Sequence, residues 1–271
     1  MNPPPIQYPQ SPAYGMPPQP PKTCGLAIAS LVLGLVSCGV TGVVGVVLGH
    51  LAMKSIKRSG GALTGGGLAI AGLILGYAEK GIAVVLYSLD GNAPEDGAST
   101  AETSTAYEAF RAAKGGLANA KNALEFVLAR MPKVAPSRIY AAGHSSAGTV
   151  ALLFAAHEPR LAGCLAYAPV ADVEAHHQDL SANPFAGIAF PGVKLFIRQS
   201  SPMTHAGRFT KPILLFHAAD DDRVSSEDIT KFTNAVKAKG GSVKLEEVPT
   251  GGHYDSMIDL GIPAGIRFID P

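Results

Sequence analysis

Hydrophobic and polar positions divide the chain into stretches of different character. From Gly25 to Met53 no residue is charged, and Leu26 to Leu51 is dominated by Leu, Val, Ile, Ala and Gly. A helix of that length crosses ~30 Å of hydrocarbon. After a turn carrying Lys54, Lys57 and Arg58, a second uncharged run of 18 residues extends from Gly60 to Tyr77. Gly45/Gly49 and Gly72/Gly76 have the small-xxx-small spacing that lets two helices approach closely. The pattern predicts a two-helix transmembrane domain over 25–77. Beyond it the pattern changes. Short apolar or alternating runs predict strands at 82–88, 138–143, 162–168, 212–218 and 242–248. Longer helical patterns lie between them, at about 106–130, 147–157 and 225–239. Strands separated by helices imply a parallel sheet covered on both faces. Residues 171–210 show no clear period and follow the third strand, as a lid above the strand ends does.

Composition sharpens this picture at three points. Residues 1–24 are rich in Pro, Gln and Tyr (Pro3-Pro4-Pro5, Pro17-Pro18, Pro20-Pro21) and cannot build a core, so a disordered, partly polyproline-II tail is expected. A formal net charge of +1 over 271 residues gives no global field for nucleic acid, and the low charged content of 16% agrees with a membrane portion. Cys24, Cys38 and Cys164 form neither a disulfide framework nor a metal-ligand spacing, and read as small buried hydrophobes. His50 reads as an interfacial residue at the end of the first span. His176-His177 has no companion ligand pattern and reads as surface polarity.

The candidate chemistry centres on Gly143-His144-Ser145-Ser146-Ala147-Gly148, between a predicted strand and a predicted helix. Small residues around one serine suit a sharp strand-to-helix turn that exposes its hydroxyl at a helix N-terminus. A serine nucleophile needs a base, and the base needs a carboxylate to fix its tautomer. The run Asp220-Asp221-Asp222 follows the strand Pro212–His217, and His253 follows the strand Ser242–Pro249. Ser145, an Asp of the 220–222 run, and His253 thus come in the chain order Ser, Asp, His, each after a strand.

These residues resemble the C-terminal part of an α/β-hydrolase of the prolyl-oligopeptidase or dienelactone-hydrolase kind, over residues 78–271. That family's acid lies in a His-Gly-x-x-Asp-x-x-Val pattern. His217-Ala218-Ala219-Asp220-Asp221-Asp222-Arg223-Val224 fits it with Ala218 in place of glycine. The register selects Asp221 and leaves Asp220 and Asp222 as a solvated acidic turn. In the serine motif Ala147 stands where the family has its second glycine. The resemblance implies acyl transfer to water with Ser145 as nucleophile, His253 as base, Asp221 as its orienter and the Ser146 backbone N–H as an oxyanion donor. Such chemistry requires no cofactor and no metal. The N-terminal half, through Leu26–Gly34, Leu48-Gly49-His50 and Gly66–Tyr77, resembles a small bacterial membrane domain of unknown function (DUF4190-like), which implies no chemistry.

A full α/β-hydrolase sheet has eight strands, and this chain shows the last five. The first three, with the loop that gives the second oxyanion donor, have no counterpart. Either Ile82–Ser88 fills the gap left beside the fourth and fifth family strands, or the sheet is open there. Residues 87–92 are the candidate substitute donor. The fold class expected is α/β, a partial α/β-hydrolase of about five mostly parallel strands preceded by a transmembrane helical hairpin. The function expected is a membrane-anchored serine hydrolase acting on a small ester or peptide substrate. The alternative is a catalytically silent, membrane-anchored binding module, which the missing strands favour. The lipid bilayer is the other partner expected.

Topology follows from the basic residues. The loop 52–59 carries Lys54, Lys57 and Arg58, whereas Lys22 stands alone before the first span and Glu79 offsets Lys80 after the second. Basic flanks prefer the cytoplasm. The loop then faces inward, and both the Pro-rich tail and the hydrolase part lie outside the cytoplasmic membrane; the alternative, a re-entrant second run, short and glycine-rich as it is, reverses the side of the hydrolase part. A C-terminal alkaline phosphatase fusion, active only when exported, is expected to be active in bacteria. An inactive phosphatase fusion beside a fluorescent C-terminal green fluorescent protein fusion contradicts this orientation.

Overall fold

The computed structural model describes residues 22–23, 63–64, 82–91 and 99–270. The chain divides into two compact units, Met1–Ile82 and Ala83–Pro271. In the first, β1 (Lys22–Thr23) pairs in parallel with β2 (Leu63–Thr64). The two apolar runs expected to span a membrane lie outside the described residues, apart from the short β2 segment. Among the described residues no helix is long and apolar enough to cross a membrane.

The second unit is built on one parallel sheet in the order β3–β4–β5–β6, with β3 at Tyr140–His144, β4 at Gly163–Tyr167, β5 at Ile213–Ala218 and β6 at Val243–Val248. Every residue of the central strands β4 and β5 is buried, as expected of parallel strands covered on both faces. Their side chains alternate between two apolar clusters. Cys164, Ala166, Ile213 and Leu215 point into the larger one, with Leu152, Phe154, Ile229, Phe232 and Leu124 from helices. Leu165, Tyr167, Leu214 and Phe216 point the other way, against Ala264 and Phe268. Burial holds the Cys164 thiol well above its ordinary pKa, so it is an inert core residue.

Helices α2 (Leu117–Arg130), α3 (Ser146–His157) and α5 (Ser226–Ala238) cover the first face. On α5, Ile229, Phe232, Thr233 and Val236 are buried, the i, i+3, i+4, i+7 stripe of an amphipathic helix. Ser225 caps it by accepting from Asp228 N–H at 3.1 Å. The second face is covered by a terminal helix that opens with wide turns at Met257–Gly261 and continues as α6 (Ile262–Ile269).

Three expectations need correction. Residues 82–88 do not form a strand: the segment runs without a ladder partner, and Leu86 is 67% exposed. The described sheet therefore has four strands, not five, and among the described residues β3 pairs on one side only. Apolar, β-branched composition favours a strand only where an edge is taken up, because cross-strand pairs provide the stabilisation. The helix expected at 106–130 is two helices, α1 (Thr100–Ala112) and α2. They are separated by Lys114, Gly115 and Gly116, with φ of 54°, 66° and 84°. Helix α1 starts earlier than expected because Ser99 and Glu102 form a reciprocal capping box. Finally, the aperiodic stretch 171–210 is largely helical. Three one-turn helices precede α4 (Val193–Ser200), and a 3-10 segment, Pro202–Arg208, follows it. Its small apolar centre is Ala186, Val193 and Ile197. Tyr107 of α1 ties it down by edge contacts to Phe190 and Phe196 at 5.2 and 5.7 Å and by donating to Pro191 O at 2.9 Å.

Phe232 has no exposed surface and stands edge-on to Phe209, 5.6 Å between ring centres. Phe232→Ala is expected to cost ~3–5 kcal/mol, read from urea unfolding of the second unit. Phe126→Ala, at a 59% exposed position, is expected to cost less than ~0.5 kcal/mol. Equal costs would contradict this assignment of the core.

Candidate active site

Ser145 stands between the last residue of β3 and the first of α3, with φ 56° and ψ −126°. A non-glycine residue there costs about 1–3 kcal/mol and persists only where its surroundings hold it. Two features do so. Ser145 N–H donates to Tyr167 O, at the end of the neighbouring strand β4, at 2.9 Å. Gly143 lets the chain turn back on itself, since a Cβ at that position would collide with the Ala147 carbonyl. The second glycine of the usual motif is not needed: Ala147 is an exposed residue in the first turn of α3. Ser146 opens that helix and is also exposed. Its N–H is among those an α-helix leaves without an intrahelical acceptor, at the positive end of the helix dipole.

The other two residues come from the loops after β5 and β6. Asp221 and His253 are buried side chains joined by a 2.8 Å hydrogen bond from Nδ1–H of the imidazole to Oδ2 of the carboxylate. Asp221 Oδ1 accepts from the N–H groups of Arg223 and Val224 at 2.8 and 3.1 Å. Burial opposes ionisation of this carboxyl. The hydrogen bonds from His253, Arg223 and Val224 outweigh it, and the pKa lies below the ordinary aspartate value. Asp221 thus stays ionised and fixes the imidazole as the Nδ1–H tautomer. His253 Nε2 is buried and is the one buried side-chain N or O among the described residues that no hydrogen bond satisfies. The base-like nitrogen is therefore not hydrogen-bonded to Ser145 Oγ, a bond that is often long in ligand-free sites.

His253 is instead tied to His144, the residue before Ser145. The His144 Nε2–H donates to His253 O at 2.6 Å, and the two rings lie 4.6 Å apart. Tyr254 closes the group, 4.9 Å from each imidazole, with the Arg223 guanidinium 5.5 Å over its ring. His217 is also fully buried behind Asp221. It donates from Nε2 to Val224 O at 2.8 Å, holding the turn that carries the carboxylate. Sequence reasoning missed His144 and His217 as parts of the site, because their roles depend on contacts between loops. It gave Asp220 no partner. That residue is an exposed turn acid as expected, but it also accepts from the N–H groups of Gly251 and Gly252. Asp90, in the segment considered for a second oxyanion donor, directs its N–H to Asn119 Oδ1 at 3.4 Å. No group of three or more His, Cys, Asp or Glu side chains among the described residues is arranged to hold a metal ion.

The parallel sheet, the strained serine at its elbow and the loop-borne Asp–His pair define an α/β-hydrolase type of fold. Residues 101–260, more than half of the chain, match the prolyl oligopeptidase family (Peptidase_S9), and the chain belongs to that family. Residues 26–86 match a domain of unknown function, DUF4190. No curated protein matches the chain. Among solved structures, it is similar to an acylaminoacyl peptidase of Pyrococcus horikoshii. The two are 18% identical with a TM-score of 0.49, over 59% of this chain and 27% of that one. It is also similar to a puromycin-hydrolysing peptidase of Mycobacterium tuberculosis, at 18% identity and a TM-score of 0.48, over 56% of this chain and 24% of that one. An esterase of Pyrococcus furiosus aligns over 57% of this chain and 59% of its own, at 15% identity and a TM-score of 0.43. The chain thus spans roughly a quarter of the length of the two peptidases.

Asp221 also makes stability depend on pH. Its pKa is depressed in the folded protein, so its contribution is complete above the unfolded value of about 3.9 and is lost as pH falls through the lower folded value. Asp221→Asn is expected to remove this acid-side loss from a pH series of unfolding midpoints. It is also expected to lower turnover by up to ~10⁴-fold through the wrong imidazole tautomer. A larger loss of turnover in Asp222→Asn contradicts the assignment.

Proposed function

We infer that this chain has a serine hydrolase type of function, which its membership of the prolyl oligopeptidase family supports. We propose, more specifically, that this chain is a membrane-anchored serine hydrolase that cleaves an ester or peptide-type acyl bond through Ser145, His253 and Asp221. The observation that carries the reading is the buried Asp221–His253 hydrogen bond. It leaves Nε2 without a partner, on a ring packed against the residue before a strained serine.

In this mechanism His253 Nε2 takes the Ser145 hydroxyl proton as Oγ attacks the acyl carbonyl. Asp221 stabilises the imidazolium and remains ionised. The oxyanion of the tetrahedral intermediate faces the Ser146 N–H at the start of α3. Collapse expels the amine or alcohol, which receives the proton from Nε2, and leaves an acyl-Ser145. Water then attacks the acyl carbon with His253 again as base, releasing the acid and regenerating the serine. The family is a peptidase family, which supports a peptide as the substrate. The apolar runs 26–51 and 60–77 are proposed to hold the enzyme at the bilayer, with the hydrolase part outside the cytoplasm.

A silent binding module remains the second reading, favoured by the lack, among the described residues, of a strand on the other side of β3 and by the unformed Ser145–His253 hydrogen bond. A fluorophosphonate probe separates the two. Wild type is expected to be labelled, Ser145→Ala not, and Ser146→Ala still labelled because that residue contributes a backbone group. Equal labelling of wild type and Ser145→Ala contradicts the nucleophile, and no labelling of wild type favours the silent module.

A further inference from the structure

Two carboxylates of the acidic run after β5 bind the His253 loop: Asp221 at the imidazole and Asp220 at the backbone. Asp220 Oδ1 accepts from Gly252 N–H at 2.7 Å and Oδ2 accepts from Gly251 N–H at 3.1 Å. Two successive backbone N–H groups converge on one carboxylate, with one oxygen for each. Such charge-assisted bonds are roughly twice as strong as neutral ones. The convergence depends on the backbone of the two glycines, with φ of 120° at Gly251 and 55° at Gly252. A Cβ at Gly251 would lie only 2.8–2.9 Å from Ser256. From the far side Ser256 closes the same loop: its N–H donates to Gly251 O at 2.9 Å and its hydroxyl to Gly252 O at 2.7 Å. His253 is the next residue along. It enters the site from a backbone gripped on one side by Asp220 and on the other by Ser256.

We propose that Asp220 is a positioning residue for the acyl-transfer reaction: its carboxylate holds the Gly251–Gly252 backbone, and so sets where His253 presents its ring to Ser145. Asp221 takes the imidazole while Asp220, one peptide unit earlier, takes the backbone that delivers it. Consecutive Cα atoms are ~3.8 Å apart, so both carboxylates hold the His253 loop from one short piece of backbone. Sliding of the His253 loop against the Asp221 loop then requires breaking two charge-assisted hydrogen bonds. Precision matters here because a displacement of ~1 Å in a catalytic group can cost ~10²-fold in rate. The inference rests on the serine-hydrolase reading for its catalytic consequence, but the clamp itself does not.

The test compares full-length wild type with Asp220→Ala, Asp220→Asn and Asp220→Glu. The readouts are p-nitrophenyl butyrate hydrolysis, unfolding midpoint, and amide hydrogen exchange across residues 250–256. Asp220→Ala is expected to lower kcat by ~10–10²-fold with KM and unfolding midpoint little changed, and to speed exchange in the His253 loop alone. Asp220→Asn, which keeps one acceptor oxygen, is expected to be intermediate. Asp220→Glu keeps both oxygens and is expected to recover most of the loss. A kcat for Asp220→Ala within twofold of wild type overturns the proposal, as does a Glu variant no better than the Ala variant. An inactive wild type counts against the hydrolase reading instead. Exchange then decides the clamp by itself, and unchanged exchange in Asp220→Ala overturns it.

Discussion

The parallel register of β3 through β6 is the constraint on which the site depends. Tyr140 pairs with Gly163, Cys164 with Ile213, and Ile213 with Val243, so all four strands start near one edge of the sheet and end near the other. In an open parallel sheet the loops at the carboxyl ends are the ones that meet. Ser145 leaves β3, the acidic turn leaves β5 and the His253 loop follows β6. Three residues spread over a span of more than a hundred positions therefore reach one edge, because a buried sheet core fixes their strands. A slip of one residue in β5 would turn Leu214 and Phe216 into the wrong cluster. It would also carry Asp221 away from His253.

Given that frame, the site is held by backbone contacts more than by packing. The unfavourable conformation of Ser145 is offset by its hydrogen bond to Tyr167 O and by the absence of a side chain at Gly143. The acidic turn is held by His217 through Val224 O and by its own N–H groups on Asp221. The His253 loop is held by Asp220, Ser256 and His144. Each loop is thus tied to another loop or to a neighbouring strand. That arrangement keeps the Ser145, Asp221 and His253 side chains in place on segments that carry little regular structure.

Much of this was legible in the sequence, and for a physical reason. Strands buried on both faces, such as Cys164–Tyr167 and Ile213–Phe216, must be continuous apolar runs. The serine turn must be built from small residues, whatever surrounds it. Chain order pointed to His253 and to an Asp of the 220–222 run, and the resemblance to the family's acid motif selected Asp221. What was not legible depended on partners distant in the chain. Residues 82–88 read as a strand, but no edge takes them up. The Lys114–Gly116 break became visible only through three positive φ angles. Asp220 and Asp222 are chemically alike, and only the fold turns one of them toward two glycine N–H groups. The terminal helix over 257–269 was unread, although its alternation of Ile, Gly and Phe meets Leu165, Tyr167, Leu214 and Phe216 on the second face of the sheet.

The central claim is that acyl groups pass through Ser145 under the control of His253. The most direct measurement is rapid quenching of the full-length chain after mixing with p-nitrophenyl acetate, followed by mass spectrometry of its peptides. The account predicts one acetyl group on Ser145 within the first turnover, disappearing as acetate is released, and absent in His253→Ala. Nitrophenol release with no acetyl on Ser145, or an acetyl that forms equally well without His253, contradicts it.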